Sequence, residues 1–296
     1  MKRARLIYNP SSGREIVRRR LPEILDLLES AGYETSCYAT RGENDASEEA
    51  ARAVARGFDV IIAAGGDGTI YEVVNGMAGK KARPALGIIP CGTSNDFARA
   101  AGIPRSIHRS CKIIAAGKKQ RIDLGRINDR YFINIAGGGS LTNLTYEVPS
   151  KLKTLIGQLA YYVKGLEKLP SLHPIHVRIE TRNQVMVDEE IMIFLIANSP
   201  TVGGFDRLAP KADLTDGKLD CIVVKKTNLP EFIRLATSAV RGEHLKDPNV
   251  LYFQTDYLKA TAVGGQKVEL NLDGELGGHL PCECVALPGH IEVFVP

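Results

Sequence analysis

Asp59-Val60-Ile61-Ile62-Ala63-Ala64 runs directly into Gly65-Gly66-Asp67-Gly68-Thr69, and helix-like residues Ile70 to Met77 follow. A short apolar run bounded by glycines reads as a buried strand, and the glycines let the chain turn sharply into a helix. The backbone N–H groups at a helix start, with the positive end of its dipole, suit an anion. An aspartate inside such a loop repels phosphate, so Asp67 makes chemical sense if Mg²⁺ lies between its carboxylate and the phosphates. A plain glycine-rich strand-to-helix turn is the competing reading.

Outward from this block the same alternation recurs. Ala4 to Tyr8 is a short strand ended by Asn9-Pro10, and Val17, Leu21, Ile24, Leu25 and Leu28 repeat at helical spacing up to Gly32. Tyr33 to Tyr38 reads as a strand, and Asn44-Asp45 is placed to cap a helix through Arg56, with Glu48 and Glu49 in its first turn. Leu86 to Pro90 is another strand, followed by Cys91-Gly92-Thr93-Ser94-Asn95-Asp96 and a helix from Phe97, with Asp96 as its expected cap. Thr93 or Ser94 could donate to a phosphate there, and capping alone explains Asn95 and Asp96 equally well. Strands alternating with helices predict a parallel sheet with helices on both faces. The loops at Asn9–Gly13, Gly65–Thr69 and Cys91–Asp96 then share the carboxyl edge of that sheet, where such folds bind ligands.

Beyond about Arg126 strands predominate: His176–Glu180, Ile191–Ala197, Leu219–Val224, Val268–Leu272 and Ile291–Val295, with helices expected around Ser150–Leu169 and Leu229–Arg241. The predicted organisation is an α/β domain over residues 1–126 and a β-rich sandwich over 127–296, whose last strand could return to the first domain.

The chain has 296 residues and a formal charge of +4 (38 basic, 34 acidic), with 44% hydrophobic and 24% charged residues, values that exclude disorder and coiled coil. Absent Trp and 6% aromatics argue against a base-stacking platform, and the spread charge against nucleic-acid binding. No signal peptide is expected from an N-terminal apolar run of only Leu6–Tyr8, and the seven-residue stretch Ile191–Ala197 is too short to span a bilayer. A soluble chain is expected, with any membrane contact peripheral. Six cysteines without a CxxC pair read as unpaired thiols in a reducing cytoplasm, with Cys282 and Cys284 on one half-buried strand face. The six histidines lack metal spacing and read as surface or strand positions. No GxxxxGK[ST] loop occurs, and no GxGxxG opens a helix after the first strand.

Asn9-Pro10-x-Ser12-Gly13, the Gly65–Thr69 block, Pro90-x-Gly92-Thr93-x-Asn95-Asp96-Phe97-Ala98-Arg99 and Asp273-Gly274-Glu275 resemble, in order and spacing, the lipid kinases with a diacylglycerol kinase catalytic domain. Tyr146-Glu147-Val148-Pro149 and Leu159-Ala160-Tyr161-Tyr162 look closer still to the soluble bacterial diacylglycerol kinases. The Gly-Gly-Asp-Gly-Thr block alone is shared with NAD kinases and phosphofructokinases. Cys91 departs from the residue relatives often carry.

That resemblance implies ATP bound in a cleft between two domains. Asn9, Pro10, Ser11, Ser12, Gly13, Thr40, Gly65, Gly66, Asp67, Gly68, Thr69 and Thr93 would contact the nucleotide, with Asp67 acting through the catalytic Mg²⁺. Asp123 would lie near the same metal, although an Asp before Leu-Gly could equally fix a turn. Asp213, Asp216 and the carbonyl of Lys218 would hold a second, structural metal ion, where the bare residues read as an ordinary hairpin turn. Glu275 would be the general base that takes the acceptor hydroxyl's proton. The implied reaction phosphorylates diacylglycerol to phosphatidate in bacterial phospholipid recycling. The alternatives are another lipid alcohol (phosphatidylglycerol or a sphingoid base), NAD as acceptor, or a non-catalytic nucleotide- or lipid-binding regulator.

Arg14, Arg18, Arg19 and Arg20 near the first loop, and Lys151, Lys153, Lys164 and Lys168 further on, suggest docking on acidic phospholipid, with Arg14 and Lys164 flanking the cleft mouth; solvated helix faces are the alternative. The expected location is the cytoplasm, peripherally at the inner face of the cell membrane, and a homodimer is expected from the family.

Overall fold

The computed structural model describes residues 1–139, 173–202 and 207–296. Two compact units emerge, one of residues 1–124 and 288–296 and one of residues 125–287. The helix expected around Ser150–Leu169, the Tyr146–Tyr162 motif, and Lys151, Lys153, Lys164 and Lys168 lie outside the described residues.

The first unit alternates β1 (Lys2–Tyr8), α1 (Ile16–Ser30), β2 (Tyr33–Ala39), α2 (Asp45–Ala55), β3 (Val60–Gly65), α3 (Asp67–Ala78), β4 (Ala85–Pro90), α4 (Asp96–Ala100) and α5 (Ile107–Ala116). The strands are parallel in the order β2-β1-β3-β4, with Leu6 beside both Cys37 and Ile62, and Ile62 beside Gly87. The final residues return as one more parallel neighbour of β4, Val293 beside Leu86.

Alternation along the strands separates two faces. Ala4, Leu6, Val60, Ile62, Ala64 and Ile89 pack with Val17, Ile24 and Leu28 of α1 and Ile107, Cys111 and Ile114 of α5. The intervening Ile7, Ile61, Ala63 and Ile88 are buried as well, so both faces of the sheet are covered. Each fully buried Leu, Ile or Val contributes about 1.5–3 kcal/mol, which is why the six-residue apolar runs commit to this sheet.

Two expected caps differ. Asn44 precedes α2 with φ +63 and makes no capping hydrogen bond; the Asp45 carboxylate instead accepts the Tyr38 hydroxyl and the Arg41 N–H, each at 2.7 Å. Glu49, expected in the first turn, lies just past it, buried and paired with Arg5 at 2.7 Å and Arg52 at 2.9 Å. The second cap concerns Asp96, described with the site.

The second unit takes in the end of β5 (Lys119–Ile127), then β6 (Arg130–Phe132), β7 (Ile135–Gly139), β8 (Ile175–Thr181), β9 (Val185–Ala197), β10 (Leu219–Lys225), α6 (Leu229–Arg241), β11 (Val250–Thr255), β12 (Tyr257–Ala262), β13 (Glu269–Leu272), β14 (Glu275–His279) and the start of β15 (Cys282–Phe294). Its ladders are antiparallel. β9 is shared: its first part pairs with β8, and its last part lies between β7 and β10. A strand that changes neighbours along its length is how a β-sandwich turns its corner.

Cys282 and Cys284 are buried rather than half-buried, and Glu283 between them takes the exposed face. All six cysteines are free thiols, and burial pushes Cys282 up to about 12, which leaves it unreactive. His244 corrects the surface reading of the histidines. It is buried in a short turn, its Nε2 2.9 Å from the Leu208 carbonyl.

Candidate active site

In the first unit the three glycine loops meet. Asn9 donates its N–H to the Ala64 carbonyl at 3.1 Å, and Thr40 donates to the Tyr8 carbonyl at 2.9 Å, so both residues sit at the carboxyl ends of β1 to β3. The Asn9 Oδ1 accepts the N–H of Ser11 at 3.0 Å and its hydroxyl at 2.8 Å, closing the Asn9–Gly13 loop on itself. Gly13 has φ +56, and a Cβ on it would stand 2.7 Å from the Cys91 carbonyl. A Cβ on Gly92 would stand 2.6 Å from the Gly66 Cα. Loop one therefore abuts loop three at Gly13–Cys91, and loop two abuts loop three at Gly66–Gly92. Glycine at these points permits an approach that side chains would block.

Asp67 opens α3, and its Oδ2 accepts the Asn95 N–H at 2.8 Å. Asn95 has φ +51, and its amide closes a ring on Gly92, accepting its N–H at 2.8 Å and donating to its carbonyl at 2.7 Å. The carboxylate at the start of α4 thus comes from Asp67, not from Asp96, which turns to Arg99 at 2.6 Å because it already lies inside the helix. Burial, with the Asp96 carboxylate second, raises Asp67 to about 6 against the N–H groups of Asn95, Asp96 and Phe97. Its Oδ1 is buried and accepts no hydrogen bond. A buried carboxylate oxygen without a donor fits a hard cation such as Mg²⁺ or the water it carries. Thr69 is buried against Gly65, while Thr93 is exposed and its carbonyl accepts Arg105 at 2.6 Å.

Asp123 is buried within β5, and its Oδ1 accepts the Gly289 N–H at 2.6 Å. The residue therefore ties two strands rather than fixing a turn. Arg14 is exposed with φ +57, between Gly13 and Glu15, which also have positive φ. Arg18, Arg19 and Ile16 are exposed beside it at the start of α1.

In the second unit, Glu275 is the exposed first residue of β14 and pairs with Leu272 across a two-residue turn. That turn, Asp273-Gly274, has φ +51 and +98, the double positive values of a type I′ hairpin. The Asp273 carboxylate is a feature the sequence reading missed: Oδ2 accepts the Ile133 N–H at 2.7 Å, and Oδ1 accepts Asn134 and Ile135, both at 2.9 Å.

Asp213 and Asp216 lie in the long connection between the antiparallel neighbours β9 and β10, so Thr215–Lys218 is a turn within that connection and not a tight hairpin turn joining two strands. The Asp213 Oδ1 accepts the N–H of Thr215 at 2.9 Å and its hydroxyl at 2.7 Å, and the Asp216 Oδ1 accepts the Lys218 N–H at 2.9 Å. Among the described residues no three His, Cys, Asp or Glu side chains gather for a metal ion. A cation in this loop would rely on two carboxylates, the Lys218 carbonyl and water, an all-oxygen set suited to Mg²⁺ or Ca²⁺. Asp220, two residues on, is fully buried and held by the Tyr252 hydroxyl and by Gln254 at 3.2 Å.

Among the described residues no helix is long and apolar enough to cross a membrane. Residues 3–127 match the diacylglycerol kinase catalytic domain, and residues 142–295 match the YegS C-terminal NAD kinase beta sandwich-like domain. A protein of Bacillus subtilis (strain 168) named diacylglycerol kinase is 54% identical over 100% of this chain and 97% of its own. One from Staphylococcus saprophyticus with the same name is 48% identical over 100% and 96%. Among solved structures, a diacylglycerol kinase of Bacillus anthracis str. Sterne superposes with a TM-score of 0.77 at 25% identity, covering 100% of this chain and 97% of that one. Another from the same organism reaches 0.85 at 27% identity, covering 100% and 95%. With both models matched along almost all of its length and relatives aligned from end to end, the chain belongs to the diacylglycerol kinase family, phosphotransferases with an alcohol group as acceptor.

Proposed function

We propose that the protein transfers the γ-phosphoryl group of ATP, with Mg²⁺, to the free hydroxyl of diacylglycerol, giving phosphatidate and ADP. The observation that carries this reading is the junction of three glycine loops around Asp67, with its unpartnered buried oxygen. The names of the relatives supply the acceptor.

Phosphoryl transfer is largely positioning and charge neutralisation. Asn9 to Gly13, Thr40, Gly65 to Thr69 and Thr93 hold the nucleotide at the carboxyl edge of the parallel sheet. Asp67 holds Mg²⁺, which when bound neutralises charge on the phosphate oxygens; Asp123 is the second acid assigned to that neighbourhood. Glu275 takes the proton of the acceptor hydroxyl as that oxygen bonds to the γ-phosphorus and the bond to the ADP oxygen breaks. Asp213, Asp216 and the Lys218 carbonyl hold a structural divalent cation. Exposed Arg14, with Arg18 and Arg19, docks the protein on acidic phospholipid, together with Lys164 of the undescribed segment.

Incubation with γ-labelled ATP and Mg²⁺ tests the reading, with mixed micelles of diacylglycerol, phosphatidylglycerol or sphingosine, or with NAD. Label should enter the lipid phase with diacylglycerol. Transfer to NAD or to another lipid in preference, or no transfer, would overturn it.

A further inference from the structure

The turn before Glu275 is more strongly anchored than a turn needs. A two-residue type I′ loop is satisfied by Asn-Gly as readily as by Asp-Gly. Three donors, the N–H groups of Ile133, Asn134 and Ile135, nevertheless converge on both oxygens of Asp273 at 2.7–2.9 Å. The Asp273 N–H itself donates to the Ile135 carbonyl at 2.9 Å. An asparagine there has one acceptor oxygen, and its amide would set N–H against N–H, so only a carboxylate completes this arrangement.

The segment that receives Asp273 is itself fixed in the interior. The Asn134 carbonyl accepts the N–H groups of Asn198 at 2.7 Å and Ser199 at 3.3 Å. The Asn134 Oδ1 lies 3.0 Å from the Ser199 hydroxyl, and the Asn198 side-chain amide donates to the Ile133 carbonyl at 2.9 Å. Asn134, Asn198 and Ser199 are at most 4% exposed. Buried hydrogen bonds of this kind hold the segment to the end of β9.

Resting on the assignment of Glu275 as the base, we propose that Asp273 is its positioning residue, and that the Asn134–Asn198–Ser199 cluster is the mount to which Asp273 fastens the hairpin. The Glu275 side chain is exposed, so its direction is inherited from the strand end that Asp273 pins. Displacing a reacting group by about 1 Å costs on the order of 100-fold in rate.

The test compares Asp273→Asn, Glu275→Gln and the double variant of the full chain, assayed with MgATP and diacylglycerol micelles. Asp273→Asn should lower kcat roughly 10- to 100-fold with the KM for MgATP within about twofold, and speed amide exchange at Ile133–Ile135. The double variant should be no slower than Glu275→Gln alone, because both changes act through one group. If Asp273→Asn does not fold, Ser199→Ala carries the same comparison with a smaller loss of kcat. Wild-type kcat in Asp273→Asn beside a slow Glu275→Gln would overturn the positioning role, as would a double variant that loses the product of both factors. Full activity in Glu275→Gln would instead overturn the base assignment, and the positioning role with it.

Discussion

The Asp67 carboxylate accepts the Asn95 backbone N–H at 2.8 Å, so the acid of the second glycine loop also fixes the third. One side chain thereby sets the spacing of two glycine turns while leaving its other oxygen unpaired in the interior. A group so placed is costly without its counter-ion, and the cost can be measured.

Asp67 sits at about 6 in the folded protein against an ordinary value of 3.8. Between those values the folded form holds a proton that the unfolded chain has released, so stability falls as pH rises across the interval, and the penalty is complete above it. Asp67→Asn should therefore be more stable than wild type in chelator at pH 7.5, by up to about 3 kcal/mol, with the advantage shrinking towards pH 4. Urea midpoints across that range check it. Catalytic turnover should be lost in the same variant.

Gly92→Ala should force apart the loops carrying Gly66 and Gly92, since the new Cβ would stand 2.6 Å from the Gly66 Cα. We expect kcat/KM for ATP to fall at least about tenfold, with a cost of about 1–3 kcal/mol in stability. Gly42→Ala is the comparison: nothing lies within 4 Å of its Cβ position and its φ is not positive, so ATP kinetics should not change. Steady-state kinetics and thermal melts on both variants decide.

Glu275→Gln should lower kcat about 10²- to 10⁴-fold, the usual contribution of a general base. Calorimetric titration with MgATP should give an affinity within about twofold of wild type, separating loss of the base from loss of the nucleotide site.

His244 is held neutral by burial, with its pKa lowered from 6.5 although the Leu208 carbonyl opposes the shift. Its folded value lies below its unfolded value, so the unfolded chain binds the proton first and stability falls as pH drops below about 6.5. His244→Gln, which keeps a donor for the Leu208 carbonyl, should flatten that slope in denaturant midpoints measured between pH 7.5 and pH 5.5.

Charge reversal at Arg14 and Lys164 should weaken binding to vesicles of acidic phospholipid by roughly tenfold or more at low salt, each basic residue near such a surface contributing about 1 kcal/mol. The difference should narrow as salt shortens the Debye length. Sedimentation with vesicles measures it, and calorimetry should show unchanged ATP affinity.

The parallel sheet was readable because its strands are uninterrupted apolar runs ending in glycine, and Val60–Gly65 and Ala85–Pro90 stand where those runs predict. Helix α6 stands at Leu229–Arg241 where a helix was expected, and the structure adds its ends: the Asn228 side chain accepts the Glu231 N–H, and Gly242 terminates it with positive φ. β7 was not. Its sequence Ile-Ala-Gly-Gly-Gly carries no strand signal, because Gly137 and Gly138 lie so close to Phe194 that a Cβ on either would stand 2.8 Å from it. Gly125 hides its place in the same way, beneath the ring of Phe132.

At the site, the glycine spacing disclosed three loops but not which acid joins them. Asp96 is nearer in sequence to α4 than Asp67, and only the fold brings Asp67 to its N–H groups. Asp273 likewise reads as turn chemistry, since its partners at Ile133–Ile135 lie about 140 residues away in sequence. Long-range polar contacts of that kind leave no local pattern.

The last nine residues have a consequence for how the molecule is made. Val293 pairs with Leu86, Phe294 enters the same core as Leu6 and Ile24, and the Val295 N–H donates to the Lys118 carbonyl at 3.1 Å. A ribosome adding about 5–20 residues per second releases Leu124 well before it reaches Pro288. The first unit must wait, one strand short and with the side of β4 open, until residues 288–296 have been made. Removing residues 288–296 would strike the unit whose other residues are translated first.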